Sequence, residues 1–207
     1  MKFNFKESVV SGFVLTLSSI AVAGPADNRL SVIFADGSAD AVISGTSYDI
    51  DIDGFSFSYR RYLSELSIGT PVIHVDRKSI DGSVNGVSTP NTKSTTGMLG
   101  LALSRVDVIQ GDGSELIPYI GISEGGDLDA GVRFAFGVGS GTSFELGYST
   151  EVKGDFYDKY TIGNLAGYQA ISDSIVLGLG YSYENLKTKG GNTADGSVWE
   201  FGVSYLF

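Results

Sequence analysis

Large apolar residues alternate with small or polar ones along most of the chain. That period of two puts successive side chains on opposite faces of a strand. In the last segment Trp199, Phe201, Val203, Tyr205 and Phe207 fall on one face, and Val198, Glu200, Gly202, Ser204 and Leu206 on the other. The segment before it sets Ile175, Leu177, Leu179, Tyr181 and Tyr183 against Val176, Gly178, Gly180, Ser182 and Glu184. Phe144, Leu146 and Tyr148 alternate with Glu145, Gly147 and Ser149; Val132, Phe134, Phe136 and Val138 alternate with Gly131, Arg133, Ala135 and Gly137. The bulky faces are aliphatic in strand centres and aromatic toward strand ends. The opposite faces carry Gly, Ser, Ala and isolated charges, too small and polar for the core of a soluble sandwich or lipocalin-like barrel. An all-β antiparallel transmembrane barrel, bulky residues toward lipid and polar ones inside, accounts for both faces.

The pattern predicts strands over 28–36, 47–62, 65–78, 94–108, 115–124, 128–138, 142–153, 157–171, 174–186 and 196–207. That makes ten, with eight as the alternative if two weaker early strands merge or lie outside the membrane. An even number puts both termini on the periplasmic side. Short connections at Tyr62–Glu65, Gln110–Glu115, Gly139–Thr142 and Ser172–Ser174 suit that side, and longer loops over 37–46, 79–93 and 187–195 are expected to face outward. The alternation slips near Gly54 and Pro71, where a bulge or strand end is expected.

The first 23 residues read differently. Lys2 and Lys6 precede a mostly apolar stretch from Val9 to Val22, and Ala21-Val22-Ala23 has the small-x-small form of a cleavage site. This is the pattern of a signal peptide over 1–23, too short and too rich in serine for a spanning helix. It leaves a barrel domain over 24–207, 184 of the 207 residues, with twelve basic and twenty-three acidic side chains and a net charge of −11. Such a charge excludes a nucleic-acid partner. Without cysteine, an exported chain depends on packing and its hydrogen-bonded ladder.

The terminal Tyr205-Leu206-Phe207, on alternating apolar positions, resembles the C-terminal strand of bacterial outer-membrane proteins. Pro118-Tyr119-Ile120-Gly121, Ala130-Gly131-Val132-Arg133 and Glu145-Leu146-Gly147-Tyr148 are similar to the middle of the small OmpA-like and OmpX-like barrels. The resemblance implies a bacterial outer-membrane location and Tyr205 and Phe207 as the signal read by the barrel-assembly machinery. Lipid and lipopolysaccharide are its implied surroundings, and a monomer is expected. Those families usually have eight strands, so ten departs by one hairpin.

Four constellations could carry chemistry. Asp49-x-Asp51-x-Asp53-Gly54 matches the opening of a calcium-binding loop, but its twelfth position is Arg60 instead of a bidentate Glu. A hydrated acidic loop base is the plain reading, weak calcium binding the sharper one. His74, the single histidine, is expected near the outer rim with Asp76 on the same face, where a rim hydrolase would need a nucleophile that the sequence does not show. Arg133, Glu145, Glu184 and Glu200 fall on inward faces, where charges need partners or water. They would either plug the lumen with ion pairs or line a narrow, cation-preferring pore. The outer segments 36–53 and 124–129 are acidic, and 76–93 is mixed. The reading is thus a non-enzymatic barrel with a structural or surface-interaction role through acidic outer loops and no resident cofactor. The pore is its alternative and the His74 hydrolase comes third.

Overall fold

The computed structural model describes residues 28–107, 109–123, 126–153 and 157–207. The signal peptide expected over 1–23 lies outside them. Ten long strands run up and down: β1 (Asn28–Ile43), β2 (Thr46–Tyr62), β3 (Thr70–Val84), β4 (Val87–Ala102), β5 (Asp112–Ser123), β6 (Leu128–Gly139), β7 (Thr142–Lys153), β8 (Tyr157–Ala170), β9 (Ile175–Thr188) and β10 (Thr193–Leu206). Each pairs antiparallel with the next, and β10 pairs with β1, so the sheet closes on itself. Between β4 and β5, Val106–Asp107 forms a two-residue strand against Asp112–Gly113.

The register sets the shape. Passing from partner to partner, Asn28 leads through Arg61, Ile73, Leu99, Ile120, Ala130, Thr150, Thr161, Asn185 and Asp195 back to β1 at Asp40. That is twelve residues beyond the start. Ten strands with a stagger of twelve require a tilt of about 40° and a backbone radius of about 10 Å. A lumen of that width can be filled by side chains reaching in from all sides.

The outward face is a band of exposed aliphatic and aromatic residues, among them Phe34 (56%), Leu99 (62%) and Trp199 (58%). Tyr148, Tyr183 and Trp199 stand at its far border, and Tyr205 and Phe207, rings 5.7 Å apart, at the border nearest the termini. In water such a surface would be an aggregation hazard; in hydrocarbon, closure leaves the paired backbone no exposed donors.

The weakest closure is β4 to β5, paired only over Thr96–Gly100 and Tyr119–Ser123. Beyond Thr96 the far half of β4 is bonded to β3 alone, and it carries Pro90 and Lys93, residues that discourage a strand edge from recruiting another.

Three expectations change. The outer loops over 37–46, 79–93 and 187–195 are mostly strand. The hairpins turn at Ser44-Gly45 and Asn85-Gly86, where both central residues have positive φ (50° and 81°, 51° and 75°), the turn that two-residue hairpins prefer. These strand ends persist because Ala39, Ala41, Ile50, Ile52, Ile80 and Val84 on their inward sides pack together. Gly54 is no bulge: pairing with Ala35 and Ile80 runs through it unbroken, and the shift falls between Ile80 and Gly82 instead. Pro71 does lie at a strand end, one residue into β3. The longest connections are at the terminal end, 63–69 and 103–111.

Candidate functional site

The interior holds nine buried formal charges among the described residues: Arg29, Arg60, Lys78 and Arg133 against Asp76, Glu115, Glu145, Glu184 and Glu200. Strand tilt sorts them into two layers. Toward the termini, Arg29, Arg60 and Arg133 gather with Glu115, Glu145 and His74. Arg133 Nε lies 3.8 Å from Glu145 Oε1 on the next strand, and Glu145 also faces Arg60 and Arg29. Arg29 donates through Nε to Ser31 Oγ at 3.1 Å and through Nη2 to Ser204 Oγ. Tyr62 donates to Glu115 Oε2 at 3.2 Å. The guanidinium of Arg133 sits 5.5 Å from the ring centre of Tyr119, and that of Arg29 5.8 Å from Tyr168. Each cation is thereby given an anion or an aromatic face in a region of low dielectric.

The second layer is acidic. Lys78 Nζ stands 3.8 Å from Asp76 Oδ2, both fully buried, and Glu184 and Glu200 reach in from the adjacent strands β9 and β10. Tyr160 donates to Glu184 Oε2 at 3.3 Å.

Apolar layers bound the charged region at both ends. At the far end Ile50, Ile52 and Ile80 from one wall meet Tyr160, Leu186 and Val198 from the other, all at most 3% exposed. At the terminal end the connection 103–111 folds under the lumen: Val106 is 1% exposed among Tyr62, Val72, Ile117 and Leu206, with Ile109 against them. Gly139 donates to the Gly111 carbonyl at 2.7 Å and Gly141 to that of Gln110 at 3.1 Å, which ties this segment to the β6–β7 turn. Between the stoppers, a cavity beside Arg60, His74 and Arg133 measures only about 10 Å³, room for about one water.

A closed barrel of tilted antiparallel strands, apolar outside and charged within, decides the fold. The fold is that of an outer-membrane β-barrel. No family model and no curated protein matches the sequence. Among solved structures, an outer-membrane channel from Pseudomonas putida F1 is similar at a TM-score of 0.53 and 9% identity, over 93% of this chain and 98% of that one. The transport unit of the autotransporter AIDA-I from Escherichia coli follows at 0.47 and 10%, over 97% and 98%. The attachment invasion locus protein Ail of Yersinia pestis follows at 0.39 and 12%, over 87% and 99%. At such identities the likeness concerns fold alone.

In this outer-membrane barrel fold the four residues expected in the lumen, Arg133, Glu145, Glu184 and Glu200, all point inward and are at most 3% exposed. Alternation also marks Arg29, Arg60, Asp76, Lys78 and Glu115 as inward. Arg60, for example, follows Ser56 and Ser58 opposite Phe55, Phe57 and Tyr59. With them the buried charges are four to five, so the acidic excess behind the cation preference largely disappears. His74 is not at a rim. Because β3 begins at Thr70, His74 lies early in the strand, 2% exposed inside the barrel, opposite Arg60 and Met98. Asp76 shares its face, as expected, but pairs with Lys78.

Asp49, Asp51 and Asp53 share the outward face of β2 at intervals of about 7 Å, too spread to converge on one ion. Among the described residues no group of three metal-ligating side chains comes together. Asp49 lies opposite Asp40, and Asp53 opposite Asp36; Asp51 accepts from Ser83 Oγ at 2.8 Å. At the far mouth, Glu151 is opposite Asp129. Burial, then the charges of Asp127 and Asp129, push its carboxyl up to about 7, while Lys189 pulls the other way.

Proposed function

We propose that this chain is a closed, non-enzymatic barrel of the bacterial outer membrane. It would be of the small OmpA-like and OmpX-like kind, enlarged by one hairpin, with its work done on its outer surfaces. The observation that carries this reading is the filled interior. Apolar stoppers at both ends enclose a buried cluster of four cations and five carboxylates, whereas a conducting pore needs a continuous wet path. The acidic far end of β1 and β2, with Asp36, Asp40, Asp49, Asp51 and Asp53, is the surface such a barrel presents to the outside. Location in the outer membrane is supported by the apolar band with its aromatic borders. The test is conductance of the refolded chain in a planar bilayer, with and without calcium. A silent bilayer from protein shown folded by β-type circular dichroism is the expected result; discrete cation-selective steps would establish the narrow pore in its place.

A further inference from the structure

At the terminal end a cavity of about 650 Å³ opens between the 63–69 and 103–111 connections. That is within the range of small-ligand sites, about 300–1,000 Å³, and unlike the outward face of the barrel its wall is mostly polar. Local geometry keeps it open. Leu63 N–H donates to the Pro71 carbonyl at 2.9 Å, and Leu66 and Gly69 exchange bonds at 2.9 and 3.1 Å, so the 63–69 connection continues the β2–β3 hairpin as one wall. Gly69, with φ of 139°, comes so near β4 that a Cβ there would stand 2.5 Å from the Ala102 carbonyl oxygen. Opposite, Leu103 donates to the Leu116 carbonyl at 2.9 Å, and the chain then turns under the lumen through Ser104 and Arg105. The Arg105 guanidinium lies 4.1 Å from the centre of the Tyr62 ring, which steadies this second wall.

Three charges line the cavity: Arg61 and Glu65 from the hairpin side, Arg105 from across. Arg105 is already engaged, by Tyr62 and by other neighbours, so recognition falls to the other two. The side chains of Arg61 and Glu65 are exposed and have no partner among the described residues, not even each other. Ser64, Thr70 and Ser104 add hydroxyls to the lining. Beyond it the surroundings are acidic. Asp107 accepts from the amides of Ile109 and Gln110 at 2.9 and 3.0 Å, Glu115 is buried and accepts from Tyr62, and Asp112 is exposed next to Asp107; Asp27 lies outside the described residues. Such surroundings repel a dianion. A neutral zwitterion is not repelled, and it brings one charge for each of the two unpartnered groups.

We propose that this cavity binds a short zwitterionic peptide, its free carboxylate on Arg61 and its ammonium on Glu65. The site needs only the folded barrel; the compartment that it faces, the periplasm, rests on the membrane reading above. Two sources there share this chemistry: free peptides, and the peptide stems of the cell wall.

The experiment titrates the refolded chain in detergent micelles, by calorimetry, with trialanine, its C-terminal amide and its N-acetyl form. The expected result is binding of trialanine about fivefold tighter than of either blocked peptide, the worth of one exposed ion pair. Arg61→Gln should abolish the preference over the amide alone, and Glu65→Gln the preference over the acetyl form alone. Both positions are exposed, and β-type circular dichroism checks that the variants fold. No heat from folded protein at millimolar trialanine overturns the site, and so does a preference that survives its substitution. Binding that appears only after removal of residues 24–27 overturns it too, since the cavity then belongs to the chain's own leading segment. Cosedimentation with purified cell-wall sacculi, released by trialanine, assigns the site to the stems; trialanine binding without cosedimentation assigns it to free peptides. Failure of the chain to insert into vesicles removes the periplasmic setting and leaves the site standing.

Discussion

Tyr119 of β5 lies across Gly131 of β6, its direct cross-strand partner, so closely that a Cβ on Gly131 would stand 2.4 Å from the ring carbon Cζ. The same ring carries the guanidinium of Arg133. An absent side chain on one strand thus sets where an aromatic lies, and the aromatic in turn seats a buried cation. Gly131→Ala must push the ring aside and is expected to cost about 1–3 kcal/mol. Gly163→Ala, whose Cβ enters open space, should stay within about 0.5 kcal/mol of the parent. Urea unfolding of both variants in vesicles checks the contrast.

Glu145 is the anion that Arg133, Arg60 and Arg29 share. Glu145→Met leaves three buried cations with one carboxylate fewer, and a loss of about 3–5 kcal/mol is expected. Adding Arg133→Met should recover part of that loss, because the second change removes one of the stranded charges. A double-mutant cycle on unfolding free energies gives the coupling; simple additivity would mean that the two groups do not interact.

The aspartates of β1 and β2 stand in direct opposition on the outward face, Asp36 against Asp53 and Asp40 against Asp49. Like charges opposed across a strand pair destabilise it. Asp49→Asn should therefore raise the urea midpoint slightly in dilute buffer, and the gain should shrink in high salt as screening grows. A gain that does not depend on salt would point to another cause.

Glu151 makes the far mouth sensitive to pH. Its carboxyl titrates at about 7 in the folded chain against 4.5 ordinarily, so the folded form binds the proton more tightly and deprotonation opposes folding. The penalty is absent below 4.5, grows from there to about 7, and is complete above. Glu151→Gln should therefore be more stable than the parent at about pH 8 and no more stable at about pH 4. Equal differences at both values would remove Glu151 as the source.

Alternation is local, and it was enough for the ten strands, their two faces and the inward place of Arg133, Glu145, Glu184 and Glu200. A strand buries every second residue wherever its partner comes from, and the apolar-outward choice follows from which face is bulky. Strand ends were less legible. The segments 37–46 and 79–93 are polar and glycine-containing, and only the far-end cluster, in which Ile50 and Ile80 meet Tyr160 and Leu186 from the opposite wall, shows why they remain extended.

Height in the barrel was not legible at all. Whether His74 stands at a rim or inside depends on where β3 begins. Which charges share a layer depends on the stagger of twelve residues around the closed sheet, a property of all ten pairings together. So does the closing of the lumen: Val106, expected near the end of a strand over 94–108, and Ile109 become a stopper only because that strand ends at Ala102 and the 103–111 connection folds beneath the opening. The sequence by itself determined a barrel with a charged interior, because period and residue size act within single strands. Which charges meet and whether the ends are closed were decided only by the tertiary structure, because those contacts join strands distant in the chain through tilt and register.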